Sequence, residues 1–201
     1  MSLYNLIAAG HNGQCFALLA RRFMISEPQA ARAVQFLIPA LLPSFESWLS
    51  APGGVAAYLQ LLSRGNYQQA LASPTIFSNH FERDRGVHLL ETFRAAREID
   101  GADFARAVEG SGVSYRVLSQ MAPFVALLMI GALRIKTEAP LRQILGRRLG
   151  GRLRPSVDIF GDLAEIVALD AKGPSYGPLS SLLSGLLNRA SERIAGDPHP
   201  A

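Results

Sequence analysis

Between Arg116 and Arg134 the chain runs 17 residues without a charged side chain. A segment apolar on every side has two homes, the hydrocarbon of a bilayer or the middle of a helical bundle. A span needs about 20 predominantly apolar residues; this run is shorter and is interrupted by Ser119, Gln120 and Pro123. Tyr115–Lys136 therefore reads as a buried core helix, and no transmembrane span is expected. A second apolar segment, 27–50, places Val34, Leu37, Ile38, Leu41, Leu42, Phe45 and Leu49 at helical spacing. Pro39 and Pro43 inside it are expected to bend or break it.

Composition agrees with helices. Leu and Ala make 57 of the 201 residues, against 23 for Val, Ile and Thr together, and the first pair are strong helix formers while the second set builds strands. Ser26 with Gln29 has the capping-box spacing, and Pro28 falls in the tolerated first turn. Further helices are expected at 14–24, Val55–Ser63, Gly86–Glu98, Asp100–Glu109 and 157–170. In 65–82, Asn66 could cap a turn through Leu71, and Ile76, Phe77 and Phe81 are expected to tuck into the core.

One pattern occurs twice. Ile25-Ser26 precedes a helix with an internal Pro39, and Val113-Ser114 precedes one with Pro123; each follows a shorter helix. Two short-helix/long-helix units packed together would bury both apolar rods. The expected fold is an all-α multihelical bundle with this internal pseudo-repeat over 1–136. A basic linker at 137–156, a helical C-terminal extension at 157–195 and a flexible tail at 196–201 would follow.

These same residues carry a resemblance. Leu3-Tyr4-Asn5-Leu6, Ala20-Arg21-Arg22-Phe23 with Ile25-Ser26, Leu37-Ile38-Pro39-Ala40-Leu41, Pro52-Gly53-Gly54, Gly112-Val113-Ser114 and Met121-Ala122-Pro123 through Leu133 resemble the YidB-like bacterial family over roughly 1–136. The resemblance implies an all-helical cytoplasmic protein of uncharacterised function, with no catalytic residues to carry over. The Gly-rich tail frequent in that family is replaced here by a basic and then helical segment.

Charge is unevenly spread. Of a net +4, residues 132–155 hold seven basic side chains against Glu138 alone, and 156–201 are net acidic. Pro140, Gly146, Gly150, Gly151 and Pro155 in the basic stretch disfavour a long helix, so it reads as a solvated linker. Its alternative use is anion binding through Arg142, Arg147, Arg148, Arg152 and Arg154 on nucleic acid or anionic lipid. Farther on, Leu179, Leu182, Leu183, Leu186, Leu187 and Ile194 form one apolar stripe, a contact surface for an unknown protein or a second copy.

Chemistry is sparse. His11, His80, His88 and His199 are scattered and Cys15 has no partner cysteine, so neither a metal site nor a disulfide is expected. His88 and Glu91 are spaced as two helix ligands without a second pair. No phosphate loop or nucleophile elbow is marked, and no cofactor is expected. The polar run His80–Arg85 reads as a solvated loop with local ion pairs. With no secretory leader apparent, the cytoplasm is the expected compartment. The function expected is association rather than catalysis. The alternative is nucleic-acid binding by a helix-turn-helix-like segment 17–34, with Arg21, Arg22, Gln29 and Arg32, assisted by the 134–154 arginines; a membrane-surface role is weaker.

Overall fold

A computed structural model describes residues 2–148 and 158–170, the backbone alone for 144–148 and 165–170. Its helices run in the order α1 (Leu3–Ala9), α2 (Cys15–Phe23), α3 (Glu27–Ser50), α4 (Gly54–Arg64), α5 (Gln69–Ala72), α6 (His80–Ala96), α7 (Gly101–Ser111), α8 (Tyr115–Arg148) and α9 (Ile159–Asp170). Among the described residues there is no strand, and the architecture is an all-α multihelical bundle.

Local chemistry sets most boundaries. Ser26 caps α3 with the full capping box: its hydroxyl accepts from Gln29 N at 3.3 Å, and Gln29 Oε1 accepts from Ser26 N at 3.0 Å. Asp100 caps α7 by accepting from Ala102 N at 2.8 Å. Met24 ends α2 and Gly112 ends α7, both in the left-handed conformation, with φ of 53° and 65°.

The expected duplication is present as geometry. In both units a helix ends on a left-handed residue, an apolar residue follows (Ile25 or Val113), a serine caps the next helix, and that helix is long and contains proline. The long helices α3 and α8 touch; α3 also packs against α7, and α8 against α6. From Met121 to Leu133 every residue of α8 is buried. Tyr115–Gln143 is long and apolar enough to cross a membrane, and here its most apolar stretch lies mostly inside the body. Where α6 crosses α8, the Gly86 backbone lies directly on the Pro123 carbonyl, leaving no room for a Cβ.

Four expectations need correction. The prolines of α3 do not break it: it is one continuous helix through Pro39 and Pro43, with Pro39 exposed and Pro43 half-buried, on the side where water can serve backbone carbonyls that lack an amide partner. Next, α8 does not stop near 136. It continues to Arg148 through Pro140, so 137–148 of the supposed linker is helical. Buried Thr137 and Leu141, with the i,i+4 pair Arg142–Glu138 at 2.9 Å, outweigh one lost backbone hydrogen bond. Third, His80–Arg85 is no loop but the start of α6, capped by Asn79 accepting from Phe81 N at 2.9 Å. Fourth, that start turns Phe81 outward, 78% exposed, while Ile76 and Phe77 are buried as expected.

At the other end of the body, α9 lies on α4 and buries Ile159, Phe160, Leu163 and Ala164. Phe45, Trp48, Tyr58 and Phe93 form an aromatic cluster with ring separations of 5.3–6.3 Å, each contact worth about 1 kcal/mol beyond burial.

Candidate functional site

The sequence-derived surfaces divide sharply. Arg142 is exposed and its guanidinium is engaged by Glu138, Nε at 3.2 Å and Nη2 at 2.9 Å from one carboxylate oxygen. Arg147 and Arg148 lie on α8 without described side chains. Arg152 and Arg154 lie outside the described residues, as does the stripe Leu179, Leu182, Leu183, Leu186, Leu187 and Ile194.

The 17–34 segment does form two helices joined by a tight turn. Arg21 and Arg22 close α2 and Arg32 projects from α3, all exposed. Arg22 lies 5.9 Å from the Phe23 ring centroid. Gln29, considered a base-reading residue, is committed to the capping box, where Oε1 also accepts from the Ser26 hydroxyl at 3.0 Å. Met24 stands 94% exposed at the turn.

Met24 also adjoins an aromatic row. Phe23 meets Phe124 at 5.8 Å and Phe124 meets Phe77 at 6.0 Å; Met24 follows the first of these rings and Phe81 lies four residues beyond the last. Met24 and Phe81 are the two most exposed large apolar side chains among the described residues.

A second site went unseen in the sequence. An open cleft of about 520 Å³ sits where α4 ends, its wall including Gln60, Arg64, Gly65, Asn66, Tyr67 and Arg85. Arg85 comes from α6: its Nη1 reaches both Glu82 oxygens, at 3.0 and 2.8 Å. Its guanidinium also stands 4.7 Å over the Tyr67 ring. Burial raises the Tyr67 phenol pKa, with a hydrogen bond from Arg85 pulling the other way. Tyr67 lies where a Cβ on residue 65 would stand, so only glycine fits there. Behind the cleft, Arg134 Nη1 donates to the carbonyls of Leu62 and, at 3.3 Å, Gly65, with its guanidinium 4.8 Å over Phe160. Nothing in the spacing of Arg64 and Arg85 announces their meeting, because two turns and a helix start separate them.

Buried titratable groups lie near the N-terminus. His11, Asn12 and Gly13 have φ of 54°, 58° and 80°, a left-handed run in which two members are not glycine. The His11 ring is buried with neither nitrogen in a well-formed hydrogen bond, 5.3 Å from the Phe77 ring. Burial lowers its pKa, partly countered by the Ala70 and Ala72 carbonyls. Burial pushes the Cys15 thiol up to about 12, which leaves it almost entirely protonated near neutrality. His88 and Glu91 are exposed, with Nδ1 3.9 Å from Oε2, and no group of three metal-ligating side chains exists among the described residues.

Among the described residues the fold is a helical bundle with a polar cleft at the end of α4 and an arginine-flanked turn between α2 and α3. No protein-family model matches the chain, and neither the curated proteins nor the solved structures yield a match.

Proposed function

We propose that the chain is a YidB-like cytoplasmic helical protein that works by association with a second copy of itself or another protein rather than by catalysis. The observation that supports this most directly is the exposure of two large apolar side chains, Met24 at 94% and Phe81 at 78%. Apolar surface left in water is what association would bury. The stripe Leu179–Ile194 would add a second contact. Light scattering on the full chain tests the self-association arm: the expected mass is a multiple of the single chain. Met24→Ser with Phe81→Ser, or Leu182→Glu with Leu186→Glu, should lower it. A single-chain mass at about 100 µM, where even weak dimers assemble, would sink that arm.

A second reading is nucleic-acid binding, favoured by Arg21, Arg22 and Arg32 standing exposed around the α2–α3 turn without an ion-pair partner among the described residues. Fluorescence anisotropy with duplex DNA tests it. Affinity should fall as salt rises, and Arg21→Gln with Arg22→Gln should flatten the logarithmic slope by about 2, roughly one per phosphate contact. Binding indifferent to salt would rule it out.

A further inference from the structure

We propose that the cleft at the end of α4 binds a small molecule bearing an oxyanion, a phosphate monoester or a carboxylate, on a compact apolar body. Its volume of about 520 Å³ lies within the usual range for small-molecule sites, about 300–1,000 Å³, and is too small to seat a folded partner. Among the described residues no acidic side chain lines it, whereas two guanidiniums do, with the amides of Gln60 and Asn66 as further donors and Leu61 as apolar wall.

The two arginines differ in a useful way. Arg85 is preorganised, because the Glu82 pair and the Tyr67 ring hold it in place, yet Glu82 engages only Nη1, so part of its planar donor fork remains. Arg64 is exposed with no ion-pair partner among the described residues and can swing onto a ligand. A fixed donor facing a mobile one suits capture of a small oxyanion, and each charge-assisted bond is stronger than a neutral one.

One term opposes this. The carbonyl end of a helix carries about half a negative charge and repels anions, and the cleft lies at that end of α4. Arg134 answers it: by donating to the Leu62 and Gly65 carbonyls it places a full positive charge on the repelling groups. Of the guanidiniums described around the α4 terminus, those of Arg64 and Arg85 line the cleft and that of Arg134 lies behind it. Glu82 is engaged by Arg85, and Asp158 accepts from the Ser63 hydroxyl outside the cleft lining. The cleft lining itself carries two arginines and, among the described residues, no carboxylate.

Isothermal titration calorimetry on the full chain with phenyl phosphate and with benzoate tests the site. At least one should bind, and Arg64→Gln should weaken it about ten-fold, the worth of one charge-assisted hydrogen bond. Arg94→Gln, on α6 but away from the cleft, should leave affinity within about two-fold. Arg64 is exposed, so its substitution leaves the core intact; Arg85→Gln, checked for folding by circular dichroism, should weaken binding further. Phenyl phosphate alone binding assigns the site to phosphate monoesters, and benzoate alone assigns it to carboxylates. No heat from either at about 10 mM, or equal losses in Arg64→Gln and Arg94→Gln, would overturn the site.

Discussion

The unit α2–α3 and the unit α7–α8 use the same local pattern and end in different environments. In the first, α3 is capped on both sides of the bond network, carries both its prolines outside the fully buried face, and leaves Arg32, Gln35 and Phe36 at the surface. In the second, α8 is capped only by a long 3.5 Å contact from Val117 N to the Ser114 hydroxyl, yet thirteen successive residues from Met121 are buried, Pro123 included. A helix enclosed by neighbours can do without good caps, because packing supplies most helical stability in proteins. A helix at the surface leans on its own ends.

Breaking that contrast begins with the glycines. Gly86→Val should cost the most, about 3 kcal/mol, since its side chain would press on the Pro123 backbone. Gly110→Ala should cost about 1 kcal/mol or less, because the atoms it meets are the end of the Phe36 ring, which can shift. Urea denaturation of both variants checks the order; equal losses would mean that α8 is no more tightly held than α3.

Caps come next. Ser26→Ala should lose about 1 kcal/mol and Ser114→Ala less than half of that, measured the same way. A reversed order would contradict the division between capped and packed helices. The turns should then respond with opposite signs: Gly112→Ala destabilises by about 1 kcal/mol, while Met24→Gly stabilises by about 0.5 kcal/mol through relief of left-handed strain at an exposed site. Thermal melts resolve the sign.

The smallest effect near neutrality concerns acid. Only the first unit is rooted in a buried imidazole, His11, whose folded pKa lies below its ordinary value of 6.5. The folded state therefore binds fewer protons than the unfolded one once pH drops beneath about 6.5. Stability is unaffected above that pH, falls as pH descends through the window toward the folded pKa, and levels off below it. His11→Asn, which tolerates the left-handed backbone, should remove this part of the acid dependence. The elements packed against its turn, α1, α2 and α5, carry Tyr4 and Cys15, both raised by burial. Stability curves for both proteins between pH 7 and 5 that run parallel would refute the assignment to His11.

Much of the fold was legible. Capping residues and apolar spacing located α2, α3, α4, α7 and the start of α8 to within a residue or two, because these signals act over one helical turn. The errors cluster where a neighbour decides. Pro140 and the glycines beyond it argued locally for a break after 136, and burial of Leu141 carried the helix onward. Phe81 looked like a core residue by type, and the Asn79 cap set a helix phase that turns it to water. Of the sites, the arginines of the α2–α3 turn could be named beforehand. The cleft could not, since Arg64 and Arg85 come from separate helices and are joined only by the Tyr67 ring and the docking of α6.

Residue order alone determined that this chain is helical, where most helices begin, and that one pattern occurs twice, because hydrogen-bond closure at a helix end and apolar periodicity are short-range. Tertiary structure decided which of the twin rods is enclosed, how far α8 extends and where guanidiniums converge. Those outcomes depend on burial and on charges brought together from distant positions, and such energies exist only once the helices have packed.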